Sequence, residues 1–349
     1  MLSHKRIVLS CLVLFLTVIM SGCTGSQQQL KGTVAEAPAW PGDGETPRIR
    51  YISSFTRPED LQIRQGMVSR IWDYVVGAQE RGLVAPQGVT AAADGTIYVV
   101  DAALKTVQIY NPSRNKFRVI PDDDHLFETP IHAVTDEETG RLYVTDSAAG
   151  AVRSFALHET GAAGEFGKGE LERPTGIALN KMTDELLVLD TRHAAVFRYN
   201  RQNLALVGRF GVRGTGYGEF NYPTDLTVNS NGDILVNDAL NFRIQVFSPT
   251  GEFRHAFGKA GDSPGYFSRP KGIAVDSDNN IYVVDTLFDN VQIFDAGGHL
   301  LLSFGQAGQG AGEFWMPTGI FIDQADRIYV ADTYNKRVQI FQYLKNSGL

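Results

Sequence analysis

A short apolar run closing on aspartate recurs six times along the chain and restricts its fold more than any other feature. The copies are YVVD (98–101), YVTD (143–146), LVLD (187–190), LVND (235–238), YVVD (282–285) and YVAD (329–332). Asp-to-Asp spacings are 45, 44, 48, 47 and 47 residues. A proline stands 15 or 16 residues ahead of each aspartate, at Pro86, Pro130, Pro174, Pro223, Pro270 and Pro317. Self-similarity at a fixed period marks a repeat architecture, in which each unit buries its apolar face against its neighbours.

Each unit reads as short strands. In the last one, residues 319–323, 327–331 and 337–341 are β-rich runs separated by turn residues. A fourth run appears at 206–210, 253–257 and 301–304, each followed by glycine, with 13 residues from its last Phe to the next proline. Four-stranded units in a ring predict an all-β fold, a six-bladed β-propeller, whose exposed edges are confined to one seam. Only eight residues follow Phe341, so the last blade needs an outer strand from elsewhere. Residues 48–55 (RIRYISSF) are the candidate, because Ile52-Ser53-Ser54-Phe55 matches Leu301-Leu302-Ser303-Phe304. The ring thus closes with an N-terminal strand, and the propeller occupies 48–349. Between that strand and the first unit, Leu61, Val68, Ile71, Trp72, Val75 and Val76 fall near helical spacing, predicting a short helical insertion over 58–82. The alternative makes 70–76 the closing strand.

Pro-x-Gly-Ile/Val ahead of YVxD, followed by Asn241-Phe242-Arg243-Ile244-Gln245-Val246-Phe247 or by Asn335-Lys336-Arg337-Val338-Gln339-Ile340-Phe341, resembles the NHL repeat. The resemblance covers about residues 48 to 343 and implies a six-bladed NHL-type propeller. The Asn of the motif is Leu104, Ala149, His193 and Phe288 in the other four units.

The N-terminus reads as an address. His4-Lys5-Arg6 precedes an apolar run, 7–20, broken only by Ser10 and Thr17. This is a secretory signal, too short for the ~20 residues of a permanent membrane helix. Met20-Ser21-Gly22-Cys23 resembles the bacterial lipobox, which implies a lipoprotein signal peptide over 1–22 and a lipid on Cys23. Thr24 in place of Asp points by the same analogy to outer-membrane sorting, with the domain periplasmic or at the cell surface. Cys11 leaves with the signal, so the mature chain has one thiol and can form no internal disulfide or thiolate metal site. Residues 23–47, with Pro38, Pro41, Gly42, Gly44 and Pro47, have linker composition and predict a lipidated flexible tether.

Charge excludes one class of partner. The chain carries 32 Lys plus Arg against 39 Asp plus Glu, a formal charge of −7, and Lys5 and Arg6 are lost with the signal. A polyphosphate partner needs the opposite sign, so nucleic acid is not expected.

The innermost strand of each blade begins at the proline, so the two residues after it ring the channel mouth. They read Gln87-Gly88, Ile131-His132, Thr175-Gly176, Thr224-Asp225, Lys271-Gly272 and Thr318-Gly319. Glycine is the default at the second place, and His132 and Asp225 break it; departures from a chain's own rule point to function. With Lys271 and Gln87 they are expected to face a common funnel and to bind a small polar ligand or a partner's side chain; the alternative is a solvated rim. Tyr222, Phe288, Trp315 and Tyr334 would supply contact area on the same face. The YVxD aspartates read as turn caps. The glycine-rich runs 211–218 and 305–312 lack the Lys-Ser/Thr ending of a phosphate loop and read as inter-blade connections.

These observations describe a lipid-anchored, non-enzymatic envelope protein that binds a protein or small polar ligand through the channel-mouth face, without a cofactor. The resemblance also implies an alternative, since relatives include lyases and lactonases holding Zn²⁺ or Ca²⁺. Here that would be a metal-dependent lyase or lactonase with a divalent cation in the funnel. Among mature histidines only His132 and His193 fall at mouth-side positions, which are too few to define a zinc site.

Overall fold

The computed structural model describes residues 37–42, 44–64, 82–121, 126–157 and 162–345. Cys23, with the rest of 1–36, and most of the expected helical insertion (65–81) lie outside them.

The chain forms a six-bladed β-propeller. The short β-rich runs of each unit fold into an antiparallel meander, as in the third blade: Pro174–Asn180, Glu185–Asp190, Ala195–Asn200 and Leu206–Phe210, ordered from the axis outward. Both faces of the second strand are covered by neighbouring blades, which is why these strands are apolar throughout rather than alternating. The core is six clusters, each spanning adjacent blades. The tyrosines of the YVxD runs, Tyr98, Tyr143, Tyr282 and Tyr329, are buried there.

The seam closes as expected. Ile49–Phe55 pairs antiparallel with Arg337–Tyr343, from Ile49 opposite Tyr343 to Phe55 opposite Val338. The stretch read as tether is shorter than expected, because Ala39–Trp40 adds a fifth strand to this blade. Trp40 earns that order by burying its ring against Phe304 and Phe341, at centroid distances of 5.6 and 5.9 Å. Of the expected helix over 58–82, the described part shows a single 3₁₀ turn, Pro58–Leu61, with Asp60 accepting the Thr56 and Arg57 amides.

The glycine-rich runs are connections between blades. Gly305 sits at φ 89°, and a Cβ there would lie 2.4 Å from the Phe314 ring, which fills the gap between blades. No longer side chain fits that approach.

Candidate functional site

The YVxD aspartates are structural. Asp190, fully buried, accepts the amides of Glu172 and Arg173 ahead of the proline at 2.7 and 2.8 Å, and those of Arg192 and His193 in the following turn at 2.9 and 2.8 Å. It ties the entry of the innermost strand to the exit of the second. Where the motif is complete, the network extends. Asp332 Oδ2 accepts Asn335 Nδ2 (2.9 Å), Arg337 Nε (2.7 Å) and Gln339 Nε2 (3.0 Å). Arg337 and Gln339 reach on to the Glu313 carbonyl of the incoming connection. Asp238, Asn241, Arg243 and Gln245 repeat the arrangement. These carboxylates are fully engaged by donors, so this ring holds the fold and is not a ligand site.

The axis is different. Gln87, His132, Asp225 and Lys271 come together around a cavity of about 30 Å³ at the proline end of the channel. They were expected to share a funnel, and they do, but they also bond to one another across it. His132 Nδ1 lies 3.0 Å from Asp225 Oδ1, joining blades two and four. Lys271 Nζ donates to Gln87 Oε1 at 3.2 Å, joining blades five and one. Asp225 accepts two further bonds, from the Leu226 and Ile273 amides at 2.9 and 3.2 Å. Asn237, directly opposite Asp225 on the neighbouring strand, is fully buried, with neither side-chain polar atom partnered among the described residues.

The glycine default now has a cause. A Cβ on Gly319 would lie 2.3 Å from the Gln87 carbonyl, and one on Gly272 would lie 2.4 Å from that of Thr318. Each blade's second residue packs on the next blade's backbone, so a side chain fits only where it turns toward the axis. His132 and Asp225 do so in alternate blades, each preceded by a glycine that makes room: Gly88 against His132 and Gly176 against Asp225.

These contacts set the charges. Burial alone would lower the His132 pKa, but the Asp225 carboxylate outweighs it and holds the imidazole above its usual 6.5. Lys271 is pushed down to about 8, first by burial and then by the nearby Arg269 guanidinium, with no carboxylate within ion-pair distance among the described residues.

Around this mouth the apolar residues divide. Trp315, Tyr334 and Tyr222 are exposed (47%, 57% and 39%), and Trp315 packs on Tyr334 at 5.5 Å. The Arg173 guanidinium lies 5.5 Å from the Tyr222 ring. Phe288 is half-buried, and its neighbour Leu287 takes the exposed place expected of it. His193, read as a second mouth-side imidazole, lies off the axial cavity and approaches Asp190 and Glu172 at 3.4 and 3.6 Å. The donors at the axis, one imidazole and one carboxylate bonded together, do not fit a divalent-metal site of three or more ligands. Among the described residues no group of three His, Cys, Asp or Glu could hold a metal.

Sequence reasoning missed the other end of the channel. There a cavity of about 420 Å³ opens between the hairpins of several blades, walled by Val134, Leu179, Phe321 and Ile322 and rimmed by Glu137 and Lys181. No rule-breaking residue marks it, because its walls are ordinary strand-end side chains.

Comparison with known proteins agrees on the fold. A family described as a 6-bladed beta-propeller matches residues 228–289 and 276–345. The B-box type zinc finger protein ncl-1 of Caenorhabditis elegans is 43% identical over 54 residues, covering 16% of this chain. Protein brain tumor of Drosophila melanogaster is 34% identical over 80 residues, covering 23% of this chain. The matched segments span only 6% and 8% of those two proteins. Among solved structures, an auxiliary nutrient binding protein from Bacteroides thetaiotaomicron superposes with TM-score 0.61 at 12% identity, covering 76% of this chain and 71% of the other. A Bacteroides thetaiotaomicron protein of unknown function gives the same score and coverage at 18% identity. Virginiamycin B lyase from Staphylococcus aureus superposes with TM-score 0.55 at 15% identity, covering 75% and 96%. At these identities the likeness is one of fold.

Proposed function

We propose that this six-bladed propeller is a lipid-anchored binding platform of the cell envelope, which recognises a protein or small polar ligand with the proline-end face. The observation that carries the reading is the exposed Trp315–Tyr334 pair, standing with Tyr222 beside an axial mouth lined by polar side chains. Aromatic residues that are solvent-accessible beside a polar mouth supply contact area at low entropic cost and are enriched in interfaces. The structural likeness to a nutrient binding protein is consistent with such a role. Anchoring rests on the lipobox-like Met20-Ser21-Gly22-Cys23 and the signal before it, with Thr24 favouring the outer membrane.

The test has two arms. Cys23→Ser should move the protein from the detergent phase to the aqueous phase in a Triton X-114 partition, whereas retention in the detergent phase would refute the anchor. A Trp315→Ala, Tyr334→Ala double variant should keep its thermal midpoint and lose its envelope associations in co-purification from crosslinked cells; intact associations would refute the surface.

The lyase or lactonase alternative uses the same mouth. Its supporting observation is that an imidazole and an ammonium of lowered pKa line the same axial cavity, two groups able to exchange protons with a bound molecule. A stoichiometric divalent ion retained by the purified protein, and lost in His132→Ala, would favour it over the platform.

A further inference from the structure

The axial mouth is short of negative charge. Asp225, its one carboxylate, is spent on His132 and two backbone amides. Lys271 offers three N–H bonds and uses one, on the neutral Gln87. On the far side of the imidazole from Asp225, His132 Nε2 has no partner among the described residues. Arg269 is exposed and close enough to act electrostatically on Lys271, and the exposed Arg173 holds its guanidinium over the Tyr222 ring on the same face. The other lining groups bring no acid: the Thr224 and Thr318 hydroxyls donate to the Lys271 and Gln87 carbonyls. A half-buried ammonium without an anionic partner is a stability cost, which a bound anion removes.

Size fixes what that anion can be. The cavity is about 30 Å³, room for one or two water-sized groups and not for a phosphate or sulfate with its full set of oxygens. A carboxylate end fits, with one oxygen toward Lys271 Nζ and the other toward His132 Nε2. The body of its bearer would lie outside, where Tyr222 and the arginines stand.

We propose that the axial mouth is a receptor for a single carboxylate group, held between Lys271 and His132, so that the partner or ligand of this face presents a carboxylate to the channel. The proposal takes the proline-end face as the binding face and names the chemistry it selects. Carboxylates arise from a free small acid or from a peptide side chain or C-terminus, and all would engage the same two donors.

The experiment uses the full chain in detergent, with acetate as probe, by saturation-transfer NMR on the acetate methyl group. Wild type should give a transfer signal that N-acetylglycine, a model of a peptide C-terminus, displaces and that acetamide, the neutral analogue, does not. Lys271→Met should fold, with a thermal midpoint at pH 7 no lower than wild type in acetate-free buffer, and should lose the signal. Lys271 shares the cavity with His132 and Asp225 and has the Arg269 guanidinium near it, and it loses its charge as pH rises through about 8. Affinity should therefore fall several-fold between pH 7 and pH 9, a dependence absent from a purely structural lysine. An acetate signal that is lost in Lys271→Met but is not displaced by N-acetylglycine would assign a free small acid rather than a peptide C-terminus. Displacement by acetamide, a signal unchanged in Lys271→Met, or no signal in wild type would overturn the proposal. Trp315→Ala, Tyr334→Ala should retain the acetate signal, so loss of the protein-contact surface and loss of the carboxylate receptor are read separately.

Discussion

The two ends of the channel differ in how closely the innermost strands approach and in what crosses the gap between them. At the proline end the strands converge, glycines let the blades touch, and the gap of about 30 Å³ is crossed by His132–Asp225 and Lys271–Gln87. At the hairpin end they diverge around about 420 Å³, lined by apolar side chains such as Val134 and Phe321 together with polar ones such as Thr90, Thr135 and Gln324. The YVxD aspartates add order at the proline end by pinning the strand entries from inside the fold, as Asp190 does through the Glu172 and Arg173 amides. The repeat thus builds a scaffold at the proline end, and Gln87, His132, Asp225 and Lys271 are the side chains that meet on it at the axis.

The comparison can be broken most forcefully through the pins. Asp332→Ala leaves Arg337, Gln339 and the Trp315 amide without their buried acceptor. A loss of about 3–5 kcal/mol in denaturant unfolding is expected, because an uncompensated buried charge remains. Next comes the blade contact itself. Gly319→Ala places a Cβ against the Gln87 carbonyl and should cost about 1–3 kcal/mol. At the hairpin end, Leu179→Lys should cost about 1 kcal/mol, since the half-buried Leu179 lies at the cavity edge, where a lysine stem covers the same core surface and its ammonium reaches the opening. Equal losses at the two ends would erase the distinction.

A smaller effect sharpens it. The folded-state pKa of His132 is raised above its usual 6.5, so its bond to Asp225 contributes stability that is fully present below about pH 6.5 and lost as pH rises through the raised value. Wild type should lose stability relative to Asp225→Asn across that interval in parallel unfolding titrations, and identical profiles would remove the pair from the account.

Much of this was legible in the sequence because a repeat displays its rules six times. The proline, the glycine two places on, and the aspartate reveal the blade, and His132 and Asp225 stand out only against that background. Which side chain of the Leu287-Phe288 pair stands in solvent was not legible: Leu287 is exposed and Phe288 half-buried, in a turn that carries Asp289 at positive φ. Trp40 was hidden because an isolated aromatic among prolines and glycines has linker composition, and only the ring gap beside Phe304 and Phe341 gives it a place. Pairing across the axis was not legible either, since blades two and four are separated by nearly a hundred residues and no local pattern relates them.

The proposed function places recognition at the proline end. It is tested most directly by placing a photo-crosslinking amino acid at Trp315 in one strain and at Gln324, on the hairpin-end rim, in another, and irradiating intact cells. The account predicts a defined adduct from position 315, diminished by Lys271→Met, and none from position 324. An adduct from position 324 alone would move the binding face to the opposite end of the channel and contradict it.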